Sequence, residues 1–360
     1  MMAGPVIHVV VLNWRTPAMS LAAAAAALDG MRDLDGGISI VDNGSDDGSF
    51  EVMQHAAEAR GWLASGRVAV LQSGWNGGFG AGNNCGIRAG LPDGRRADLV
   101  YLLNSDAIPQ PGAIRALVED LARHPEAGIA CSRLRGPDGA PHLTAFRFPS
   151  AAGEFEAASR SGPVTRLLRA KVIAMPQPQA SCRVDWSAGA SMMIRRELLD
   201  RIGLFDEGFF LYFEETDLCR RAAQAGWQTR YVVESEVEHL GSASTGMKEW
   251  QRIPDYWYDS RRRYFEKHHG RAGALLATAA ALGGEAVWRL RCLIQNRETG
   301  VPPGHLGQLA RHALRRQPLP DHIEKGRPCR SFPRSLSATR SCCATRPKRF
   351  WRAAIASWRW

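Results

Sequence analysis

The sequence predicts an α/β protein, a mostly parallel sheet flanked by helices, with a helical extension at the C-terminal end. Three observations carry this expectation. Short β-branched runs alternate with longer helix-forming runs, the order that a parallel sheet requires. The polar clusters fall where the strand-like runs stop, and beyond about Lys267 the pattern turns Ala-rich and helical.

The elements follow in order. Residues 6–12 are β-branched with no helical period, 18–28 form helix strongly, and 38–41 end in Asp42-Asn43-Gly44: strand, helix, strand. Residues 68–71 read as a third strand and 80–89 as a helix. Residues 98–103 are nearly all apolar and end at Asn104-Ser105-Asp106, a fourth strand. Residues 111–124 read as a helix, with Pro111 near its start and Pro125 beyond its end. Residues 150–182 form a weakly patterned insert. The stretch 186–194 is small and apolar with Gly189 inside it; 195–202 is a short helix, and 214–225 a longer one closed by Gly226. Residues 231–233 form a further strand that leads to Glu238-His239. After Gln317 the chain turns to Pro, Ser, Cys and Arg with little periodicity, the composition of a disordered or loosely attached tail. The expected division is 1–266, 267–316 and 317–360.

At 360 residues, 45% hydrophobic and 23% charged, the chain can bury an ordinary core, which excludes wholesale disorder. Its net charge of +10 suggests nucleic acid until the charge is located. From position 301 onward there are 13 Lys/Arg and 2 acids, leaving 33 against 34 for residues 1–300. The body is close to neutral, so nucleic acid is not an expected partner. The tail interleaves Arg with Phe350, Trp351, Trp358 and Trp360, which suits anionic lipid as well as nucleic acid. No run reaches the roughly 18–20 apolar residues of a membrane helix, and the start reads as a buried strand rather than a signal peptide. The expected location is cytoplasmic, with peripheral contact at the inner face of a membrane through the C-terminal region. The eight cysteines show no CxxC pair, which supports neither a zinc site nor a disulfide framework.

Five clusters could carry chemistry. Asp42-Asn43-Gly44-Ser45 reads as a strand-ending turn or as a carboxylate that meets a base or ribose. Gly74-Trp75-Asn76-Gly77-Gly78-Phe79-Gly80-Ala81-Gly82-Asn83-Asn84 lets backbone N–H groups approach a phosphate at a helix start. It fails the dinucleotide spacing, and a flexible loop is the plain alternative. Asn104-Ser105-Asp106 suits either a helix cap or a ligand for Mg2+ or Mn2+. Phe209-Phe210-Leu211-Tyr212-Phe213 runs straight into Glu214-Glu215, and a carboxylate held against aromatics gains a raised pKa and can take a proton. The same acids would also suit a helix N-terminus. His239 closes a strand, where a lone His is commonly structural. The basic cluster Arg261-Arg262-Arg263 with Lys267-His268-His269 reads as a solvated helix face.

Taken in this order, the pieces resemble the family 2 glycosyltransferases, in particular the rhamnosyltransferase-like branch. The match covers about residues 6–270, roughly three quarters of the chain. The resemblance implies a GT-A fold over 1–266, a nucleotide-diphosphate-sugar donor, a saccharide or lipid-linked acceptor, Mn2+ or Mg2+, and inversion at the anomeric carbon. It implies Asp42 at the base or ribose, with Asn13 and Trp14 lining the nucleotide pocket. Asn76, Gly77 and Asn83 stand in the donor-side Asn-x-Gly-Phe-x-x-Gly-Asn segment, which residues 76–83 match. Asn104 and Asp106 stand at the Asp-x-Asp-like motif, Asp106 as metal ligand with His239. Trp186 and Gly189 stand on the acceptor side. Glu214-Glu215 occupies the acidic pair, whose second member is the base. The Gln-x-x-Arg-Trp signature of processive relatives is absent, which implies single additions. A nucleotidyltransferase would place a Gly-rich basic loop after the first strand, where this chain has Asn13-Trp14-Arg15-Thr16-Pro17.

Overall fold

The computed structural model describes residues 4–241, 252–302 and 304–315; Ser242 and the tail 317–360 lie outside the described residues. The first half alternates strand and helix: β1 (Ile7–Asn13), α1 (Pro17–Gly30), β2 (Gly36–Asp42), α2 (Ser49–Ala59), β3 (Val68–Gln72), α3 (Gly78–Ala89), β4 (Leu99–Asn104), β5 (Ala107–Pro109), α4 (Ala113–Arg123) and β6 (Ala127–Arg135). Then come β7 (Ala145–Phe146), α5 (Ala151–Ser159), α6 (Gly162–Leu167), β8 (Cys182–Val184), β9 (Trp186–Ser187), β10 (Ser191–Arg195), α7 (Arg196–Ile202), α8 (Glu214–Gln224), β11 (Gln228–His239), α9 (Asp255–Ile294) and α10 (His305–Leu314).

The main sheet runs β3-β2-β1-β4-β10-β6-β11-β5, with β8 beside β11. β3, β2, β1 and β4 are mutually parallel, so their polar C-terminal ends share one edge. β10 enters antiparallel between β4 and β6, with Ser191 opposite Leu103, which returns the 186–190 segment to that same edge. β11 runs parallel to β6 and ends there as well. Alternation along β1 divides the core: Val9 and Val11 pack with α1, α2 and α4 residues such as Leu21, Met53 and Leu117. Val10 faces the other side, with Ile87, Leu198 and Leu218 from α3, α7 and α8.

The structure adds to the sequence reading in three places. The weakly patterned insert 150–182 carries α5 and α6 in its first half, and α5 is seated on α9. β6 and α2 have no counterpart in the sequence reading. The basic cluster of α9 is not a solvated face. Arg261 bonds Glu154 (2.6 Å), Arg263 bonds Asp206 (2.8 Å), Lys267 bonds Asp206 and Asp217 (2.8 Å each), and His268 bonds Asp217 (2.8 Å). Arg261 and the Asp217 carboxylate are buried, so pairing is what makes their burial tolerable. α9 runs through the expected boundary at 266/267 and bends at Gly270, whose φ is +68°.

Candidate active site

The first two strand ends are braced against each other. Asn13 is fully buried; its Nδ2 donates to Asp42 Oδ1 (2.8 Å), and its Oδ1 accepts from Ser20 Oγ (2.8 Å). Ser45 donates to Asp42 through both its backbone N–H (3.1 Å) and its hydroxyl (2.5 Å). Asn13 therefore holds Asp42 in place rather than lining a pocket itself, while Trp14 beside it is partly exposed under the Arg15 guanidinium, 5.1 Å from its ring.

The Gly-rich stretch opens α3 and locks onto two neighbours. Asn76 Oδ1 accepts from Asn43 Nδ2 (3.1 Å) and from the Gly78 N–H (3.0 Å), which binds the loop to the end of β2. Gly77 caps the helix, and Asn83 bonds back to the Phe79 carbonyl within it (3.0 Å). The glycine before Phe79 has a steric reason. Gly78 has φ +83°, and a Cβ there would lie 1.7 Å from the Phe210 carbonyl oxygen. Only glycine lets the Gly-rich loop and the acidic-pair loop come this close, and the Phe79 N–H seals the contact with a bond to Phe210 O (3.0 Å). Asn84, which the sequence reading left without a role, grips the backbone of Phe205 on both sides (2.9 and 3.1 Å).

At the end of β4 the Asn104 N–H donates to Ala190 O (3.0 Å), and Ser105 Oγ accepts from Thr16 (3.0 Å). Asp106 Oδ1 lies 3.3 Å from His239 Nε2, so two residues 133 positions apart meet where β4 and β11 end. His239 packs edge-on to His142, with ring centroids 5.8 Å apart. Among the described residues no third His, Cys, Asp or Glu completes a metal-binding group. A carboxylate and an imidazole leave most of a coordination sphere to oxygen atoms from elsewhere. That donor set fits a divalent ion held jointly with substrate phosphates and water.

The acidic pair begins α8. Tyr212 and Phe213 just before it both have positive φ (71° and 69°), a sparsely populated conformation for bulky residues. Tyr212 stacks near Tyr256, and Phe213 lies against Trp257 and Tyr264, all on α9. Glu214 is buried beside α3, where a Cβ on Gly80 would sit 3.8 Å from its own Cβ and 3.1 Å from that of Phe205. Burial, and then the Glu215 charge, push its carboxyl well above the usual range, and its Oε2 has no hydrogen-bond partner among the described residues. Glu215 turns the other way, toward Gly189. A Cβ on Gly189 would meet Phe79 Cζ at 3.0 Å and Glu215 Cβ at 3.6 Å. Burial raises the Glu215 carboxyl to about 7, and the N–H groups of Glu215, Thr216 and Gly189 act against that rise. Its Oε2 is likewise buried without a partner. Trp186, at the start of the same segment, stacks on Phe146 (4.2 Å) and donates to Arg147 O (2.9 Å).

A third acid supports the pair. Asp217 is enclosed one turn into α8 with Arg221, Lys267 and His268 around it. Its burial acts to raise the carboxyl, but these bonds outweigh it and hold the group below its ordinary value. It stays ionised and ties α8 to α9. Arg221 is one helical turn away, but Lys267 and His268 lie about fifty residues away, and the sequence held no signal for that pairing.

Residues 5–252 match the family model described as glycosyltransferase like family 2. An N-acetylglucosaminyl-diphospho-decaprenol L-rhamnosyltransferase of Mycobacterium tuberculosis is 30% identical over 221 residues, covering 58% of this chain and 68% of that protein. A low-salt glycan biosynthesis hexosyltransferase of Haloferax volcanii is 29% identical over 168 residues, 46% of this chain and 50% of that protein. Among solved structures, a mannosyltransferase of Pyrobaculum calidifontis in complex with GDP-Man and Mn2+ superposes with a TM-score of 0.51 at 17% identity, covering 88% of this chain and 82% of that one. This last likeness is one of fold, the GT-A type.

Proposed function

The chain belongs to the family 2 glycosyltransferases, and on that premise we propose that it moves one sugar, with rhamnose the first candidate, from a nucleotide-diphosphate-sugar to a hydroxyl of a saccharide or lipid-linked acceptor. Transfer inverts the anomeric carbon, and residues 1–266 carry it. The observation that supports this reading most is Glu215, a carboxyl raised to about 7 at the meeting point of the donor-side loop and the Gly189 segment. A base needs a pKa near the working pH. Burial and the neighbouring Glu215 charge push Glu214 well above the ordinary carboxylate range too, and it faces Gly80 rather than Gly189.

In the proposed reaction the acceptor hydroxyl attacks C1 of the sugar from the face opposite the diphosphate. The hydroxyl proton passes to Glu215, the C1–O bond to the diphosphate breaks, and its electron pair leaves with the nucleoside diphosphate. Asp42, braced by Asn13 and Ser45, would bind the base or ribose beside Trp14. The Asn76-Gly77 loop and the start of α3 would receive the diphosphate, where N–H groups and the helix dipole favour negative charge. Asp106 and His239 would hold Mn2+ or Mg2+, next to Asn104. When bound, the ion supplies positive charge against that which develops on the leaving oxygen. Trp186 and Gly189 would border the acceptor. The relative from M. tuberculosis, whose name describes rhamnosyl transfer onto a polyprenyl-diphosphate-linked sugar, supports a lipid-linked acceptor.

The test is thermal-shift screening with Mn2+ against dTDP-, UDP- and GDP-sugars, because a ligand that binds only the folded state raises its melting point. A shift with one nucleotide class, followed by product formation on a diphosphate-linked acceptor, is the expected result. No shift with any nucleotide sugar would overturn the donor assignment.

A further inference from the structure

Helix α9 is buried along one flank and bare along the other. Beyond the bend at Gly270, the inner flank is so close to α5 that a Cβ on Gly284 would lie 2.5 Å from the Phe155 carbonyl oxygen. The outer flank carries Leu275, Leu276, Val287, Leu290, Leu293 and Ile294, all exposed, with Leu276, Leu290, Leu293 and Ile294 between 60% and 78% accessible. At 100° per residue these side chains, with the exposed Ala279 and Ala286, fall in a sector roughly 120° wide, running about 29 Å along the helix. No charged residue interrupts it. Monomeric proteins rarely expose a contiguous apolar surface of this kind without a partner.

The margins of the stripe are cationic. Arg271 and Arg289 flank it on one side and Arg291 on the other. Arg160 joins them near the end of α9, with its guanidinium 5.3 Å from the Trp288 ring and its carbonyl accepting from Arg291 (3.1 Å). The one acid within 271–294 is Glu285, which is buried and bonded to Arg289 (3.1 Å). α6, which follows Arg160 in the chain, presents Leu167, 82% accessible, among Arg166, Arg169 and Lys171.

We propose that the outer flank of α9 docks on the surface of an anionic bilayer, with its leucines in the acyl boundary and its arginines among the headgroups. The charge pattern selects this occupant over a second copy of the chain. A symmetric pairing of two such stripes would set arginine margins against each other, whereas anionic headgroups neutralise them. Spanning is excluded for this segment by its inner flank, which is committed to α5, and no described helix is long and apolar enough to cross a membrane. The inference goes beyond the transfer reaction, and its test uses neither donor nor acceptor, so it can fail while the transfer reading stands.

The experiment is co-sedimentation of the full chain with phosphatidylcholine vesicles, with and without phosphatidylglycerol, at low and high salt. The comparison variant is Leu276→Ser/Leu290→Ser/Ile294→Ser, with thermal unfolding as the control for folding. Binding to the phosphatidylglycerol vesicles is expected, weakened by salt, with affinity falling about tenfold or more in the triple variant at unchanged melting temperature. A chain ending at Arg315 should retain stripe-dependent binding. The proposal is overturned if the wild-type chain ignores anionic vesicles, or if the triple variant binds as well as wild type. It is also overturned if light scattering shows a dimer that the triple variant dissociates while neither protein binds lipid.

Discussion

Replacing Glu215 with Gln changes a titration more than a shape, and its consequences separate a buried base from a structural acid. The folded-state value is about 7 against an ordinary 4.5. Below about pH 4.5 the carboxyl is protonated in both folded and unfolded chains and costs nothing. As pH rises toward 7 the unfolded chain releases the proton first, so stability falls, and above 7 the loss is complete. At 1.36 kcal/mol per pKa unit the loss is on the order of 3 kcal/mol. Gln escapes it, but buries an amide N–H2 that costs about 1–3 kcal/mol at every pH. The informative quantity is therefore the change with pH in the stability difference between the two proteins, from which the constant cost cancels. Urea unfolding at about pH 4 and about pH 8 should show the variant gaining on wild type by about 2–3 kcal/mol. In the same preparation kcat should drop by roughly 10²–10⁴ with donor affinity nearly unchanged. Wild-type kcat should rise with pH through about 7, as the base loses its proton. Parallel stability profiles would refute the raised value, and near-normal kcat in Glu215→Gln beside a dead Glu214→Gln would transfer the role to Glu214.

Asp106→Asn should remain folded yet lose most transfer activity, and EDTA should abolish activity in the wild-type chain; full activity of the variant with metal removed would dismiss the Asp106–His239 site. Gly78→Ala adds a Cβ 1.7 Å from the Phe210 carbonyl at φ +83°, which should cost at least about 2 kcal/mol of stability or displace the acidic-pair loop and lower kcat. A variant with wild-type melting temperature and kcat would show that the donor-side loop and α8 are not coupled there. Ending the chain at Arg315 should leave donor binding and turnover intact, as every site residue lies upstream. A folded truncated protein that fails to bind donor would place a functional element in the tail.

What the reading of the chain recovered is what nearest-neighbour chemistry encodes. The strands β1, β2 and β4 are continuous apolar runs because they are buried on both faces. The helices α1, α4 and α8 carry their own punctuation in Pro17, Pro111 and Gly226. β6 was missed because Ala127–Arg135 ends in two arginines among small residues, and only its place between β10 and β11 makes it a strand. α5 and α6 were missed for a related reason. The weak pattern of α5 becomes stable only against α9, about a hundred residues away, and α6 is tied to α5 through the Thr165–Glu156 bond.

The site divides along the same line. The sequence by itself marked the strand-end clusters Asp42, Asn76-Gly77, Asn104–Asp106 and His239, because parallel strands gather their polar ends at one edge, and it marked Glu214-Glu215 as acids at a helix start. Only the tertiary structure decided what each one faces: that Asp106 meets His239, that Glu215 turns to Gly189 while Glu214 turns to Gly80, and that the aromatic run packs on α9. It also decided which charges are paired. A basic run such as Arg261-Arg262-Arg263 reads as solvated until Glu154 and Asp206 arrive from distant parts of the chain, since a charge records its own presence in the sequence but not its partner, and the partner determines whether it can be buried.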